Sequence, residues 1–228
     1  MPMPLRYPAL LFDFDGTLID SAPEIAASLN ALLAEWDRPG LSLDRVHGFI
    51  GDGAARLVER GFAATGPALE ERELRQAVAR YLTLYAAVPA DPAIVYPGVV
   101  ETLSRLRAAG HALALVTNKP EGISRALLPA LGLGDLFGAI VGGDTLPRRK
   151  PAPEPLLHAL AALAHGPEDA VMVGDNGNDV AAARAARMQV IAVSYGYPRM
   201  PVADLGADRV IDRFADLPAA LNHLAGAG

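Results

Sequence analysis

The chain has 228 residues, a net charge of −6 and no cysteine. This length fits one large domain or two modest ones, and the acidic balance argues against a nucleic-acid or anionic-membrane partner. The lack of cysteine excludes disulfides, thiolate metal sites and cysteine nucleophiles. No apolar run approaches the roughly 18 residues of a membrane helix, so we expect a cytoplasmic protein without a membrane partner.

The first predicted strand is the apolar run Ala9–Phe12, which leads directly into Asp13, Asp15, Gly16 and Thr17. Ligands of open α/β sheets bind beyond the carboxyl ends of the strands, so the two carboxylates are candidate site residues. On an extended strand Asp13 and Asp15 would face the same side, and Gly16 would allow a tight turn. The alternative is a strand that ends in a solvated acidic turn.

The segment that follows carries helical patterns and no strand signal. The predicted helices cover residues 22–36, 43–47, 54–62 and 69–85. Ser21 begins a predicted capping box at the start of the first helix. We predict two domains, an α/β core formed by residues 1–19 and 93–228 and a helical cap formed by residues 20–92.

From Val99 onward, predicted helices and strands alternate, which indicates a parallel sheet with right-handed crossovers. The predicted strands cover 112–117, 139–142, 170–174, 189–193 and 209–211, and the predicted helices cover 99–109, 121–131, 153–164 and 178–186. Pro129 predicts a kink or an early end in the second of these helices. The predicted fold class is therefore α/β, with a Rossmann-like parallel sheet core and an inserted all-helical cap domain.

Two later loops add polar candidates. Thr117 ends one predicted strand, and Asn118 could cap the next helix while its loop directs backbone amides at an anion; a simple strand end and cap is an equal alternative. Lys150 lies in a proline-flanked loop before a helix. Only Lys119 and Lys150 are lysines among the 20 basic residues, which raises the question of why arginine was not used there.

Asp175 and Asp179 follow another predicted strand at the start of a helix. They could flank a cation, although solvated acids would also suit the helix dipole. Aspartates without histidine or cysteine favour a hard cation, and Mg²⁺ favours a few carboxylates together with a substrate phosphate. Because carboxylates that share one pocket repel each other, a cation is required there. The sequence therefore predicts a Mg²⁺ site at the strand ends.

The motifs D-F-D-G-T, T-N, K-P and G-D-x-x-x-D, in this order, resemble those of the haloacid dehalogenase superfamily of aspartate-nucleophile phosphatases. The resemblance covers about residues 7–222, and the helical insertion looks like a type-one cap. Stretches such as LVTNKP and GDNGNDVAAARAA look most like the bacterial phosphoglycolate phosphatases within that superfamily. The sequence departs from the pattern at Asn176, where serine is usual, and at Arg187, where a glycine commonly ends the helix.

The resemblance implies a Mg²⁺-dependent phosphomonoester hydrolase that forms an aspartyl-phosphate on Asp13, with Asp15 as general acid and base. Thr117 and Lys150 would complete the catalytic set by holding the phosphoryl oxygens. The implied metal ligands are Asp13, the backbone carbonyl of Asp15, Asp175 and, in support, Asp179. The implied substrate-binding residues are Gly16, Thr17 and Asn118 in the core and Gly51, Asp52, Gly53 and Arg56 in the cap. For the cap loop, an ordinary interhelical turn is an equal alternative.

The expected substrate is 2-phosphoglycolate, and the main alternative is another small phosphorylated metabolite, for example a sugar phosphate such as N-acetylmuramic acid 6-phosphate. A phosphosugar mutase and a non-catalytic binding module are further alternatives. Asp15 argues against a dehalogenase, because a halide needs no acid to leave. The lack of lysine between Ser21 and Pro97 argues against a phosphonate hydrolase with a Schiff-base lysine in its cap. We expect a monomer or a homodimer.

Overall fold

A computed structural model of the chain describes residues 5–225. Packing divides the chain into two compact units, one comprising the residues up to Asp20 and from Asp91 onward, the other comprising Ser21–Ala90. The larger unit ends its first segment one residue later than the expected limit of residue 19, and it resumes two residues before the expected limit of residue 93. Among the described residues, no helix is both long and apolar enough to cross a membrane.

The smaller unit is helical. Its helices are α1 (Ala22–Glu35), α2 (Leu43–His47), α3 (Ala54–Thr65) and α4 (Glu71–Ala86). An apolar stripe of α1 that includes Ile25, Leu29 and Leu32 is buried, as expected for an amphipathic helix. The predicted capping box at Ser21 is wrong, because its side chain makes no capping hydrogen bond. Ser21 has φ −95° and ψ 1°, whereas a capping residue usually has extended geometry.

The larger unit contains a six-stranded parallel sheet, which confirms the predicted α/β fold class. Its strands are β1 (Ala9–Phe12), β2 (Ala112–Val116), β3 (Ala139–Val141), β4 (Ala170–Gly174), β5 (Gln189–Val193) and β6 (Arg209–Ile211). The strand order is β3-β2-β1-β4-β5-β6. Phe12, at the end of β1, lies opposite Leu115 of β2 and Val173 of β4. The carboxyl end of β1 is therefore flanked by the ends of two neighbouring strands, at the point where the order of connection reverses.

Helices cover both faces of this sheet. They are α5 (Val99–Ala108), α6 (Glu121–Leu127), α7 (Glu154–Leu163), α8 (Gly177–Ala185) and α9 (Leu217–Ala225). Along β1, Leu10 and Phe12 belong to one hydrophobic core, whereas Ala9 and Leu11 belong to the other. All four side chains are fully buried. Burial on both faces explains why this strand is a continuous apolar run.

Two helix ends show how local residues set the boundaries. α6 ends two residues before Pro129, which confirms the predicted early end. Two residues after the end of α8, Arg187 lies in the left-handed region at φ 60°, and the N–H of Met188 donates to the carbonyl of Ala183 at 2.8 Å. Arginine thus adopts the conformation that glycine usually supplies at this position. α9 is not among the helices predicted from the sequence.

Candidate active site

The candidate site begins where the three central strands end. Asp13 follows β1, Thr117 follows β2, and Asp175 follows β4. The N–H of Asp13 donates to the carbonyl of Val173 at 2.9 Å, which continues the β1–β4 ladder by one step. Asp13, Thr117 and Asp175 are all buried. The parallel sheet therefore brings together side chains that are more than 150 residues apart in the chain.

Lys150 places a buried positive charge beside Asp13. Its Nζ lies 3.0 Å from Oδ1 of Asp13 and 2.7 Å from Oδ1 of Asp179, and it donates to the carbonyl of Val116 at 2.7 Å. An ammonium group has three donors, so each has an acceptor. The side chain of Asn118 donates to the carbonyl of Lys150 at 2.9 Å. This contact ties the loop that carries Lys150 to the end of β2.

From the sequence, Asn118 could have capped the following helix, and this prediction is wrong. α6 begins at Glu121 with Pro120 as its capping position. The N–H of Glu121 is instead bound by Oδ1 of Asp144 at 2.7 Å. The side chain that binds the first N–H of α6 is therefore that of Asp144.

The side chain of Asp179 holds the backbone of Asp175 in place at the start of α8. Oδ2 of Asp179 accepts the backbone N–H groups of Asp175 and Asn176, each at 3.2 Å. Asn176 caps α8 by accepting the N–H of Asn178 at 2.9 Å, so the asparagine at this position performs a capping role. Oδ1 of Asp175 accepts the hydroxyl of Thr17 at 3.2 Å. The two carboxylates are therefore fixed by backbone amides and by the turn after β1.

The turn after β1 packs closely on Asp175. Gly16 has φ +82°, and a Cβ atom at this position would lie 2.5 Å from Oδ2 of Asp175. Glycine is required there for both its backbone conformation and its size. The N–H of Gly16 donates to the carbonyl of Ile19, and the N–H of Thr17 donates to that of Phe14. These two amides therefore donate their hydrogen bonds within the turn. Gly16 packs against Asp175, and the hydroxyl of Thr17 donates to it.

Three carboxylates share this pocket. One oxygen from each of Asp13, Asp175 and Asp179 lies within 4.8 Å of the others. Burial raises the pKa of Asp13 to about 7, and the negative charge of Asp179 adds to this effect. Burial, together with the charges of Asp179 and Asp13, also raises the pKa of Asp175. Burial alone would lower the pKa of Lys150, but the charges of Asp13 and Asp179 outweigh it and raise that pKa.

These side chains fit a divalent metal ion. Three carboxylates against one ammonium leave a formal charge of −2 in a buried space, which a divalent cation would balance. The donors are all oxygens, as hard cations prefer. Buried carboxylates that are crowded together without a cation hold protons more tightly, and this raises the pKa values of Asp13 and Asp175.

Comparison with known proteins agrees with this geometry. The family model described as haloacid dehalogenase-like hydrolase matches residues 7–187, which include every core residue named above as a site candidate. The chain belongs to the haloacid dehalogenase-like hydrolases. As a member of this hydrolase family, it is an enzyme, and its relatives identify it as a phosphatase.

Three relatives within the hydrolase family cover most of the chain. The phosphoglycolate phosphatase of Rhodospirillum rubrum is 46% identical, over 92% of this chain and 88% of the relative. The phosphoglycolate phosphatase of Caulobacter vibrioides is 43% identical, over 92% of this chain and 89% of the relative. A crystal structure from Haemophilus somnus, described as a predicted phosphoglycolate phosphatase, has a TM-score of 0.87 and 33% identity, over 94% of this chain and 98% of that one.

Lys119 contacts a candidate site residue and had no role assigned to it from the sequence. Its Nζ lies 2.8 Å from Oδ1 of Asp15, and only 5% of the lysine side chain and 14% of the aspartate side chain are exposed. Both lysines of this hydrolase therefore contact an aspartate of the D-F-D motif, Lys150 contacting Asp13 and Lys119 contacting Asp15. The scarcity of lysine in the sequence was the signal that could have identified Lys119.

The segment after β5 is a second feature to which the sequence analysis gave no role. The N–H of Tyr197 donates to Oδ2 of Asp175 at 2.8 Å, and its hydroxyl donates to Oδ1 of Asp20 at 2.6 Å. The hydroxyl of Tyr195 donates to the carbonyl of Thr17 at 2.9 Å. Both tyrosines thus hold the turn after β1, and Tyr197 also holds Asp175.

The predicted cap residues belong to the helical unit. Gly51, Asp52 and Gly53 form the turn before α3, and Gly53 precedes its first residue with φ 86°. Asp52 pairs with Arg60 at 2.6 Å. Arg56 has an exposed side chain that pairs with Glu59. The predicted role of these residues in substrate binding stays a prediction.

Proposed function

We propose that this protein is a Mg²⁺-dependent phosphomonoester hydrolase that converts 2-phosphoglycolate to glycolate and inorganic phosphate. The observation that carries the proposal is the buried Asp13 carboxylate, held at the end of the central strand between Lys150 and two further carboxylates. The names of the relatives from Rhodospirillum rubrum and Caulobacter vibrioides support the choice of 2-phosphoglycolate among phosphate esters.

Asp13, the backbone carbonyl of Asp15 and Asp175 would hold the metal ion, with Asp179 in support. When bound, Mg²⁺ would neutralise the carboxylates and the phosphate dianion, so that Asp13 is not repelled by its substrate. The oxygen donors and their net charge of −2 with Lys150 support a divalent ion of this kind. Asp179 already accepts three hydrogen bonds, from Lys150 and two amides, which supports an orienting role for it.

In the first step, a carboxylate oxygen of Asp13 attacks phosphorus and forms an aspartyl-phosphate while the bond to the glycolate oxygen breaks. Asp15 gives its proton to that leaving oxygen. In the second step, water attacks the same phosphorus and Asp15 takes up its proton, which releases inorganic phosphate and restores Asp13. Thr117 and Lys150 are proposed to hold the phosphoryl oxygens throughout both steps.

Other assignments stay predictions from the sequence. They concern substrate binding by Gly16, Thr17 and Asn118, the cytoplasmic location, and a monomeric or homodimeric state. The contacts of Gly16 and Thr17 with Asp175 support an indirect role for these two residues, because they shape the position of a proposed metal ligand.

A panel of phosphate esters tests the proposal. We expect 2-phosphoglycolate to give the highest kcat/KM, and we expect turnover to require added Mg²⁺ after treatment with a chelator. The Asp13→Asn variant should retain the circular dichroism of the wild type but lose at least about 1,000-fold in kcat. A clear preference for a sugar phosphate would contradict the substrate assignment alone. Undiminished turnover by Asp13→Asn would contradict the nucleophile.

A further inference from the structure

The contact between Lys119 and Asp15 differs from most other ion pairs of the described chain. The exposed pairs Arg148–Glu154 and Arg213–Asp216 have 40% or more of each side chain accessible to solvent. Lys119 and Asp15 are 5% and 14% exposed. An exposed ion pair contributes little to stability, whereas a desolvated ion pair fixes the geometry of both groups. Lys119 therefore constrains the orientation of the Asp15 carboxylate.

The backbone of Lys119 is itself fixed. Its N–H donates to Oγ1 of Thr117 at 3.2 Å, and its carbonyl accepts the N–H of Gly143 at 2.8 Å. A Cβ atom on Gly143 would lie 2.3 Å from the carbonyl oxygen of Asn118, so the two loops are in close contact. The ammonium group thus extends from an anchored position, as a group that orients another side chain must.

The hydrogen bond uses one of the two oxygens of Asp15. Oδ1 accepts from Nζ of Lys119 at 2.8 Å, and a carboxylate bound at this oxygen by a buried ammonium group keeps a defined direction. Proton transfer between Asp15 and an oxygen of the substrate or of water depends strongly on that direction. A lysine suits this position because a compact ammonium needs less space than the planar guanidinium of arginine.

We propose that Lys119 is a positioning residue that orients Asp15 for its two proton transfers. This inference rests on the proposed function, because it assigns Lys119 a task in that reaction. Lys119 acts through Asp15 and not on the phosphoryl group, which the proposed function assigns to Thr117 and Lys150. The effect of replacing Lys119 on kcat/KM must therefore disappear when Asp15 can no longer transfer a proton.

The test uses two esters that differ in their leaving groups. Glycolate leaves 2-phosphoglycolate as a strongly basic alkoxide and needs a proton, whereas p-nitrophenolate leaves p-nitrophenyl phosphate without one. We expect Lys119→Met to lower kcat/KM about 100-fold for 2-phosphoglycolate and less than about fivefold for p-nitrophenyl phosphate. Lys119→Gln, which keeps a donor for Asp15, should lose less on 2-phosphoglycolate. Arg148→Met removes the same charge from an exposed pair and should change neither value by more than about twofold.

A double-mutant cycle with Asp15→Asn completes the test. In the Asp15→Asn background, adding Lys119→Met should change kcat/KM for either ester by less than about twofold. Equal losses on both esters, or a loss in that background as large as in the wild type, would show that Lys119 acts directly on the substrate or on the fold, and would overturn the proposal. A wild-type protein that hydrolyses neither ester would contradict the proposed function and this inference with it.

Discussion

Asp13 lies in an electrostatic environment that is unfavourable without a cation. Its carboxylate shares a buried pocket with Asp175 and Asp179, and Lys150 provides the positive charge that contacts it at 3.0 Å. One ammonium cannot balance three carboxylates, so burial and mutual repulsion raise the pKa of Asp13 to about 7. The same groups that would bind a metal ion therefore hold protons when the ion is absent, and metal binding must displace those protons.

This environment predicts how stability depends on pH. Because the pKa of Asp13 is about 7 in the folded protein and 3.8 when unperturbed, the folded state binds more protons between these values. In the presence of a chelator, the free energy of unfolding should therefore fall as pH rises from 5 to 7, and Asp13 contributes up to about 1.4 kcal/mol per pH unit. Urea unfolding at pH 5, 6 and 7 measures this slope.

The control for this prediction is Asp13→Asn, which cannot titrate at that position. Its unfolding free energy should fall less steeply than that of the wild type over the same pH range, because one of the two carboxylates with a raised pKa is gone. Saturating Mg²⁺ should also flatten the wild-type slope, since the bound ion favours the ionised carboxylates. Parallel slopes for the wild type and the variant would contradict the assignment of a raised pKa to Asp13.

At the scale of elements, the loop after β5 holds the turn after β1 and the side chain of Asp175 through hydrogen bonds. Gly196 lies between Tyr195 and Tyr197, whose hydrogen bonds hold Thr17 and Asp175. A Cβ atom at Gly196 would lie 2.3 Å from Cβ of Asp175 and 2.4 Å from the carbonyl oxygen of Gly16. Both neighbours are too rigid to yield, because one is backbone and the other is the first atom of a buried side chain. A larger residue must therefore displace Asp175.

We accordingly expect Gly196→Ala to weaken Mg²⁺ binding at least about 10-fold, as disruption of the groups that orient metal ligands commonly does. Isothermal titration calorimetry measures the affinity, and circular dichroism checks that the fold is retained. Gly122→Ala is the matched control, because no atom lies within 4 Å of a Cβ built there. Equal Mg²⁺ affinities for the two variants would contradict the role of this loop.

Local sequence signals predicted most elements, for identifiable reasons. β1 is a short apolar run that ends in acids and glycine, and its observed bounds, Ala9–Phe12, are those expected. Pro129 correctly marked the early end of α6. The predicted cap at Ser21 was wrong because a local sequence motif does not determine the backbone angles of the residue. Arg187 takes a left-handed conformation that its side chain does not favour, and the hydrogen bonds at the end of α8 account for it.

At the scale of the whole molecule, strand order determines which distant residues meet. β1 lies between β2 and β4, so the residues after these strands converge although they are far apart in the chain. Alternation of strands and helices was enough to place the candidate carboxylates at strand ends. It could not show that Lys119 reaches Asp15 or that Asn118 reaches the Lys150 loop, because such contacts depend on side-chain directions across different strands.

Chemical trapping of the intermediate tests the central claim, that Asp13 is the nucleophile. The wild-type enzyme is mixed with Mg²⁺ and 2-phosphoglycolate labelled in its phosphoryl group, quenched with acid within one turnover and digested, and the modified peptide is sequenced by mass spectrometry. We expect an acyl phosphate on Asp13 that hydroxylamine removes and that is missing from the Asp13→Asn variant. Label on another residue, or product formation with no covalent label at any quench time, would contradict it.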